Sequence, residues 1–333
     1  MDRLLICGTN WLGDSIMSMP ALQLLKQGAS EVHVTLLVKP GMVPLWEMHE
    51  AVDAIVPIYQ GGGGTRLTVR ALKQQSFDRA VIFPNSFRSA LLPFLGGVPR
   101  RIGIAAHWRR LLLTEPRPGR RPDDTSHQAW EYFRLLDLAI SEEALAPRLS
   151  PPESARGEAE QLLAEDGSRP WVAMLPGAAR GNSKRWPPES FAEVAKRLVD
   201  ESGVRIALFG TAAERGACDH IADAVGDLAR NLAGKTSLVV LAACLARCRA
   251  AVSNDSGGMH LATALGVPVV AVFGLTDPSL TGPLGAANRV ICGGAPEERT
   301  RDVPRESAEA EAALRSVTPA QVLNDVRAML EAL

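Results

Sequence analysis

The chain has 333 residues, of which 46% are hydrophobic, and its formal net charge is −1. A chain of this length usually divides into two domains of roughly 150 residues each, and a near-neutral charge neither favours nor excludes an anionic partner. Five scattered cysteines are typical of small buried side chains in a reducing compartment and do not form the clusters that a zinc site needs. Since no apolar run approaches the ~18 residues of a membrane span, we expect a cytoplasmic protein without a transmembrane segment.

Strands and helices alternate through the first half of the chain, which predicts a parallel sheet with helices on both faces. The predicted strands cover residues 3–8, 32–38, 54–58, 80–83 and 102–105, and the predicted helices cover residues 15–26, 42–50, 66–75, 87–95 and 130–140. A polar segment rich in proline and arginine, residues 107–128, interrupts this alternation. Residues 142–153, with three prolines, are the best linker candidate.

The alternation restarts in the second half. The predicted strands cover residues 171–175, 204–209, 228–232, 250–253 and 269–273, and the predicted helices cover residues 188–200, 212–225, 237–247 and 319–333. We therefore predict an α/β protein with two doubly wound, Rossmann-like domains, residues 1–150 and 151–315, and a C-terminal helical tail, residues 316–333, that could pack back toward the first domain. Ligands of such sheets lie beyond the carboxyl ends of the strands, so two such domains facing each other predict an interdomain cleft.

Residues 253–260 join a strand end to a short helix. Gly257 and Gly258 open this helix, so no β-carbon keeps a ligand from the first free backbone N–H groups. Together with the positive end of the helix dipole, these groups predict an anion seat. The alternative is an ordinary N-cap formed by Asp255 and Ser256.

The loop after the first strand, residues 8–15, nearly fits the phosphate-loop pattern of nucleoside triphosphatases, but Asp14 stands where the lysine belongs. A carboxylate there would repel a triphosphate, which excludes that class, and no G-x-G-x-x-G follows the strand, which disfavours a dehydrogenase. Asp14 either complements the dipole of the next helix or acts as a general base that takes a proton from a hydroxyl nucleophile.

Two loops of the second half carry charged side chains at predicted strand ends. Residues 176–187 deliver Lys184 and Arg185, which suits a diphosphate but also a solvated basic loop. Glu214 follows the next strand, where it can accept hydrogen bonds from ribose hydroxyls or serve as a helix acid. Because all these loops lie at carboxyl ends of strands, the sequence predicts one shared site.

Between residues 88 and 122, eight arginines stand against a single acid, Glu115. Arginine without lysine favours bidentate recognition of phosphate or carboxylate groups. We expect an anionic acceptor substrate at a membrane surface, and no nucleic acid, since no stacking-aromatic series or nucleic-acid motif accompanies the arginines. The alternative is a solvated, disordered loop. The arginines are Arg88, Arg100, Arg101, Arg109, Arg110, Arg117, Arg120 and Arg121.

Three motifs together resemble a known family. They are Asn10-Trp-Leu-Gly-Asp14 continuing to Leu22, Pro176-Gly177 with Lys184-Arg-Trp-Pro187, and Asn254-Asp-Ser-Gly-x-Met-His260 followed by Ala271-x-Phe-Gly274. In this order and spacing, from residue 4 to about 285, the sequence resembles the bacterial lipopolysaccharide heptosyltransferases, glycosyltransferase family nine. The Asn-Trp-Leu-Gly-Asp form most resembles the heptosyltransferase II subgroup.

The resemblance implies the two-domain GT-B architecture and a metal-independent, inverting transfer of heptose. The implied donor is ADP-heptose, and the implied acceptor is an inner-core heptose of lipid A–core at the cytoplasmic face of the inner membrane. Asp14 would be the general base and Lys184 would neutralise the departing diphosphate, with no cofactor and no metal ligand. The implied donor contacts are Glu214, Asp255, Ser256, Gly257, Met259 and His260, and the implied acceptor contacts are Asn10, Trp11, Arg109, Arg110 and Arg120.

Two alternatives remain beside this hypothesis. One is the same fold with another nucleotide sugar or acceptor, and the other is a nucleotide-sugar-binding protein without catalysis. The sequence also departs from the family near its end, where many members carry several cysteines. Here Cys292 is followed by a charged run, residues 296–311, to which the resemblance assigns no role.

Overall fold

The computed structural model describes residues 2–121, 124–139, 146–164 and 169–332. They form two compact units, Met1–Leu149 and Ser150–Leu333. Part of the predicted linker, residues 142–145, and the last residues of two predicted helices, Ile140 and Leu333, lie outside the described residues.

The first unit contains one sheet of six parallel strands. Its strands are β1 (Arg3–Cys7), β2 (His33–Val38), β3 (Ala54–Pro57), β4 (Arg79–Ile82), β5 (Arg100–Ile104) and β6 (Glu115–Arg117), in the spatial order β3-β2-β1-β4-β5-β6. Its helices are α1 (Leu12–Gly28), α2 (Val43–Trp46), α3 (Gly64–Lys73), α4 (Phe87–Leu95) and α5 (Ala129–Leu135), with 3₁₀ helices at Pro40–Met42 and His107–Leu112.

The second unit repeats this architecture. Its strands are β7 (Trp171–Leu175), β8 (Arg205–Leu208), β9 (Ala229–Asn231), β10 (Cys248–Asn254), β11 (Val269–Phe273) and β12 (Arg289–Cys292), in the order β12-β11-β10-β7-β8-β9. Its helices are α6 (Glu153–Leu162), α7 (Pro188–Ser202), α8 (Arg215–Val225), α9 (Leu238–Leu245), α10 (Gly257–Ala264), α11 (Pro278–Thr281), α12 (Ala308–Ser316) and α13 (Pro319–Glu331). Its 3₁₀ helices include Asn182–Lys184 and Ala212–Glu214.

The two parallel sheets confirm the predicted α/β class with two doubly wound units. Within each unit the spatial order is the third, second, first, fourth, fifth and sixth strand along the chain, so the chain direction across the sheet reverses between the first and fourth strands. In such sheets a ligand binds beyond the carboxyl ends of the strands at this reversal. The candidate positions are therefore the loops after β1 and β4 in the first unit, and after β7 and β10 in the second.

Buried apolar strands account for the cores. Leu4, Leu5 and Ile6 of β1 are fully buried, and every residue of β7 and of β11 is buried. A strand that is covered by helices on both faces requires a continuous apolar run instead of an alternating one. These runs are the strongest strand signals in the sequence.

Several elements were not predicted from the sequence. The polar segment at residues 107–128 contains a 3₁₀ helix and β6, and α6, β12 and α12 were also missed. β6 includes Pro116, which lacks the N–H that a central strand would need but is tolerated at the edge of a sheet. The predicted helix at residues 42–50 was too long, since α2 ends at Trp46.

The C-terminal helix α13 packs against α7, β10, β11 and β12, all in the second unit. Its buried face consists of Val322, Leu323, Val326 and Met329, which follow helical spacing. Thr318 and Gln321 form a capping box at its start. No helix within the described ranges is long and apolar enough to cross a membrane.

His49 is a buried titratable group of the first unit. Its ring lies edge-on to Trp46, with 5.4 Å between the ring centroids, and its Nε2 is 3.3 Å from Oε1 of Gln23 in α1. Burial lowers the pKa of His49 from its ordinary 6.5 to about 4, because the charged ring would lose its hydration.

Acid should therefore destabilise the first unit through His49. The folded pKa lies below the unfolded one, so the unfolded chain binds the proton first, and stability falls as the pH drops from 6.5 toward 4. Between about pH 7.5 and about pH 5 this residue should account for about 2 kcal/mol of lost stability. Urea unfolding at both pH values should show a smaller loss for His49→Gln than for the wild type, and equal losses would contradict the assignment.

Candidate active site

The candidate site of the second unit lies where β7 and β10 run side by side. Leu175, the last residue of β7, pairs with Ser253 of β10, so the loops that follow the two strands begin next to each other. We call residues 176–187 the β7 loop. It carries Lys184, while β10 is followed directly by Asp255 and α10.

Lys184 and Asp255 form an ion pair across this position. Nζ of Lys184 donates to Oδ2 of Asp255, and the two side chains are only 12% and 8% exposed. The backbone N–H of Asp255 donates to the carbonyl of Val272, which ties the acid to β11. A nearly buried pair of this kind holds both charges in place, because separating them would leave one unpaired in a poorly hydrated site.

Asn254 holds both ends of the β7 loop. Its Oδ1 accepts from the N–H of Trp186 at 2.9 Å, and its Nδ2 donates to the carbonyl of Pro176 at 2.7 Å. The side chain is fully buried, and Trp186 is itself anchored through an Nε1 bond of 3.0 Å to the carbonyl of Val317. The side-chain amide of Asn254 therefore joins the two ends of the β7 loop.

The middle of the β7 loop contacts the charged run at residues 296–311. The Arg305 carbonyl accepts from the N–H of Ser183 at 3.3 Å, and Arg180 pairs with Asp302 at 2.9 Å. Gly181 has a φ of +87°, and a β-carbon there would lie 2.6 Å from the Arg305 carbonyl oxygen. The left-handed backbone and the close approach both require glycine.

The start of α10 meets the end of β7. A β-carbon on Gly258 would lie 2.6 Å from Cδ2 of Leu175, so this glycine permits close packing of helix on strand. Ser256 is the N-cap residue, and its side chain makes no capping bond to the first turn of the helix. The Ser256 side chain therefore does not cap the first turn of α10. Met259 and His260 are buried.

Glu214 lies beside the start of the β7 loop. Its Oε2 accepts from both the N–H and the hydroxyl of Thr211, at 2.7 and 2.9 Å, in a capping box. A β-carbon on Gly177 would collide with the same carboxylate. Glu214 therefore caps a helix, as the simpler interpretation of the sequence expected, while its carboxylate also reaches the rim where the β7 loop begins.

In the first unit, Asp14 lies in the first turn of α1 and is half-buried. Its Oδ1 accepts from Nε2 of Gln128 at 3.1 Å, which links it to the start of α5. Asn10 and Trp11 precede the helix, and both are exposed, Trp11 by 60%. The carboxylate that the sequence singled out thus has a fixed hydrogen-bond donor beside it.

The predicted acceptor arginines lie in three different environments. Arg110 is exposed, whereas Arg109 is 1% exposed and donates from Nη1 to Oδ1 of Asn85 at 3.0 Å. Burial lowers the pKa of Arg109. Arg120 donates to the backbone carbonyls of Asp124 and Ser126. Two of the three are thus held by the protein itself.

Arg120 also lines a cavity of about 430 Å³ between β5, β6 and α5. Asp124 closes one side of the cavity, and bonds from Ser126, followed by those from Arg134, hold the pKa of its carboxyl well below the usual range. Other charged side chains around the cavity are Arg117, Arg121, Arg134 and Glu131.

Sequence reasoning placed Lys184 and Asp255 at strand ends but missed their pairing, and it missed the roles of Asn254, Gly181 and Arg305. The partners of Asn254 lie 68 and 78 residues away along the chain. The glycine at position 181 was the one available signal. Among the residues that the structure describes, no group of three His, Cys, Asp or Glu side chains could hold a metal ion.

The chain is similar in sequence to known proteins. Residues 65–312 match the model of glycosyltransferase family 9 (heptosyltransferase). The chain is 32% identical to lipopolysaccharide heptosyltransferase 2 of Escherichia coli K12 over 98% of both chains, and 31% identical to lipooligosaccharide heptosyltransferase 2 of Haemophilus influenzae over 87% of this chain and 88% of that one.

Solved structures agree with these matches. The structure of E. coli ADP-heptose lipopolysaccharide heptosyltransferase II has a TM-score of 0.85 at 31% identity, covering 100% of this chain and 99% of that one. A family 9 glycosyl transferase from Veillonella parvula has a TM-score of 0.86 at 22% identity, over 100% of this chain and 98% of that one. The likeness confirms the predicted GT-B fold class.

Replacing Asn254 should loosen the β7 loop. Asn254→Ala leaves the Trp186 N–H and the Pro176 carbonyl without their partners, at about 1–3 kcal/mol for each buried group. We expect the free energy of unfolding of the second unit to fall by about 2–6 kcal/mol. Amide hydrogen exchange at Ser183 and Trp186 should accelerate more than the lost stability explains.

Asn288→Ala is a matched control. Asn288 also joins backbone groups, accepting from the N–H of Val269 at 3.1 Å and donating to the carbonyl of Leu284 at 3.0 Å. It should lower stability without selective exchange in the β7 loop. The same exchange pattern in both variants would show that Asn254 has no specific role there.

Proposed function

We propose, from the premise that the chain belongs to glycosyltransferase family 9, that it transfers heptose from ADP-heptose to an inner-core heptose of lipopolysaccharide by an inverting, metal-independent displacement. The observation that carries the proposal is the Lys184–Asp255 pair, held beside the start of α10 at the strand reversal of the second unit. The chain is a glycosyltransferase by family, and the named relatives support the choice of sugar and acceptor.

The donor diphosphate would bind between the β7 loop and the start of α10. Lys184 supplies the cation, and Ser256 and Gly257 supply backbone N–H groups at the positive end of the helix. A carboxylate would repel a diphosphate, so Asp255 would serve the donor site through Lys184, whose Nζ it orients. Fixed positive groups that face the leaving group stabilise the charge that develops on it, without a metal ion.

The rest of the donor would extend along the same rim. Glu214, next to Gly177, would accept hydrogen bonds from the ribose with the carboxylate oxygen that Thr211 does not use. Met259 and His260, both buried in α10, would shape the floor of the donor site and not form its most exposed contacts.

Asp14 would be the general base that deprotonates the acceptor hydroxyl. The bond from Gln128 orients the carboxylate at the start of α1, and a general base must be held in position before it can take a proton. A single displacement needs one base and a stabilised leaving group, and it involves no covalent intermediate.

The acceptor would bind the first unit through Asn10, Trp11, Arg109, Arg110 and Arg120. Arg110 is exposed and therefore suited to a direct bidentate contact with phosphate or carboxylate. Arg109 and Arg120 would act mainly as fixed positive charges below the surface. A lipid A–core acceptor would place the enzyme on the cytoplasmic face of the inner membrane.

Asp14→Asn should abolish transfer without weakening nucleotide binding. The amide still accepts from Gln128 but cannot take a proton, so kcat should fall by roughly 10²–10⁴. Initial rates of ADP release and calorimetric titration with ADP measure the two effects. Glu50→Gln, which removes an exposed acid of the same unit, should leave both unchanged.

Unchanged turnover in Asp14→Asn would end its role as base. Full ADP binding without turnover of any donor by the wild type would instead indicate a non-catalytic binding protein. Wild-type turnover should persist in EDTA, and its loss would contradict a metal-independent reaction.

Lys184→Ala should weaken ADP binding by roughly 30- to 100-fold, because it removes the cation and leaves the Asp255 carboxylate facing the diphosphate. Arg180→Ala is the matched control, since this cation of the same loop is 51% exposed and pairs with Asp302. It should change the affinity less than threefold by the usual weakness of exposed pairs.

The double variant Lys184→Ala/Asp255→Ala tests how the two residues are coupled. If Asp255 acts through Lys184, the second substitution should recover part of the affinity by removing the repulsive charge. A further loss that is additive would show that Asp255 binds the nucleotide independently.

A further inference from the structure

The 3₁₀ helix at His107–Leu112 has one apolar face that the protein does not cover. A 3₁₀ helix has three residues per turn, so side chains three apart share a face. Trp108 and Leu111 are 78% and 77% exposed, whereas Arg109 and Leu112 are 1% and 9% exposed. The inner residues anchor the turn, and the outer pair projects a tryptophan and a leucine into solvent.

This turn is fixed on the body of the first unit. At one end Arg109 donates to Asn85, just before α4, and at the other Arg101 donates to the Leu112 carbonyl at 2.7 Å. Arg101 also stacks over the ring of Phe94 in α4, 5.3 Å from its centroid. The exposed pair is therefore presented by a braced element next to α4.

Further exposed apolar side chains lie on the neighbouring helix. Phe87 and Phe94 of α4 are 49% and 43% exposed. We call Trp108, Leu111, Phe87 and Phe94 the 108/111 patch. The side chains of Trp108 and Leu111 are both more than three-quarters exposed. Such exposure of large apolar side chains is unusual on a surface that meets only water.

The segment that carries the 108/111 patch is positively charged. Arg88 and Arg110 are exposed, and within the described residues neither forms an ion pair. The one acid between residues 88 and 121, Glu115, is paired with Arg100 at 2.8 Å and lies 3.9 Å from Arg117. A surface that combines exposed aromatic and aliphatic side chains with unneutralised arginines complements the interface of an anionic bilayer.

We propose that the 108/111 patch docks the enzyme on anionic phospholipid, with Trp108 and Leu111 in the interfacial layer and Arg88 on the headgroup phosphates. The proposal extends the proposed function, since a lipid-anchored acceptor is met at a membrane. Tryptophan is favoured at the interface because its ring is apolar and its N–H is polar. A rigid turn loses little conformational entropy on insertion.

The full chain should cosediment with vesicles of phosphatidylcholine containing about 30% phosphatidylglycerol, and bind much less to phosphatidylcholine alone or at high salt. Trp108→Ala/Leu111→Ala should lower the partition coefficient about tenfold or more. Arg88→Ala should lower it roughly fivefold. Trp108→Phe should keep most of the binding.

Val290→Ala/Arg289→Ala is the matched control, because it removes an exposed apolar side chain and an exposed arginine from the edge strand of the other unit. It should bind vesicles as the wild type does. Equal partitioning of wild type and Trp108→Ala/Leu111→Ala would overturn the proposal. So would sedimentation equilibrium in which this double variant turns a dimer into a monomer, since a second copy would then cover the patch.

Turnover of a water-soluble, lipid-free acceptor separates this proposal from the proposed function. It should be unchanged in Trp108→Ala/Leu111→Ala. A wild type that turns over ADP-heptose without binding anionic vesicles would refute the docking surface alone. Vesicle binding that depends on the 108/111 patch, without turnover of ADP-heptose, would refute the proposed reaction alone.

Discussion

The ion pair between Lys184 and Asp255 is the interaction on which the second unit's site depends. Both side chains are nearly buried, so neither charge can be removed without leaving the other poorly hydrated and unpaired. The pair also fixes the position of the lysine side chain. A cation that is already oriented needs little reorganisation when charge develops on a leaving group, and this is the main electrostatic advantage of a protein site over water.

The surroundings of this pair explain how a flexible-looking loop keeps one shape. Asn254, the residue before Asp255, closes both ends of the β7 loop, and the Arg305 carbonyl supports its middle. The charged run at residues 296–311, to which the sequence assigned no role, thus supports the loop that carries Lys184. A change in that run can alter the site without touching any ligand.

Much of the fold was predictable because buried parallel strands are continuous apolar runs. The strands β7 and β11 were predicted at their observed bounds, and so was the helix α4. β6 was not, because a three-residue edge strand with a proline lacks that signal. The arginines of residues 88–122 show most clearly what could not be predicted from the sequence. Their composition indicated one shared role in binding anions, yet Arg109 is buried, Arg101 stacks on Phe94 and Arg100 pairs with Glu115. Their partners are set by packing between distant elements, which local composition does not encode.

The proposed chemistry assigns one carboxylate, Asp14, to the acceptor hydroxyl and one cationic site to the departing diphosphate. Such an arrangement supports a single in-line displacement and provides for no covalent heptosyl intermediate. The configuration at the anomeric carbon of the transferred heptose, determined by NMR of the product and compared with that of the donor, tests this most directly. The account predicts inversion. Retention of the donor's configuration, or a heptosyl group attached to the enzyme, would contradict it.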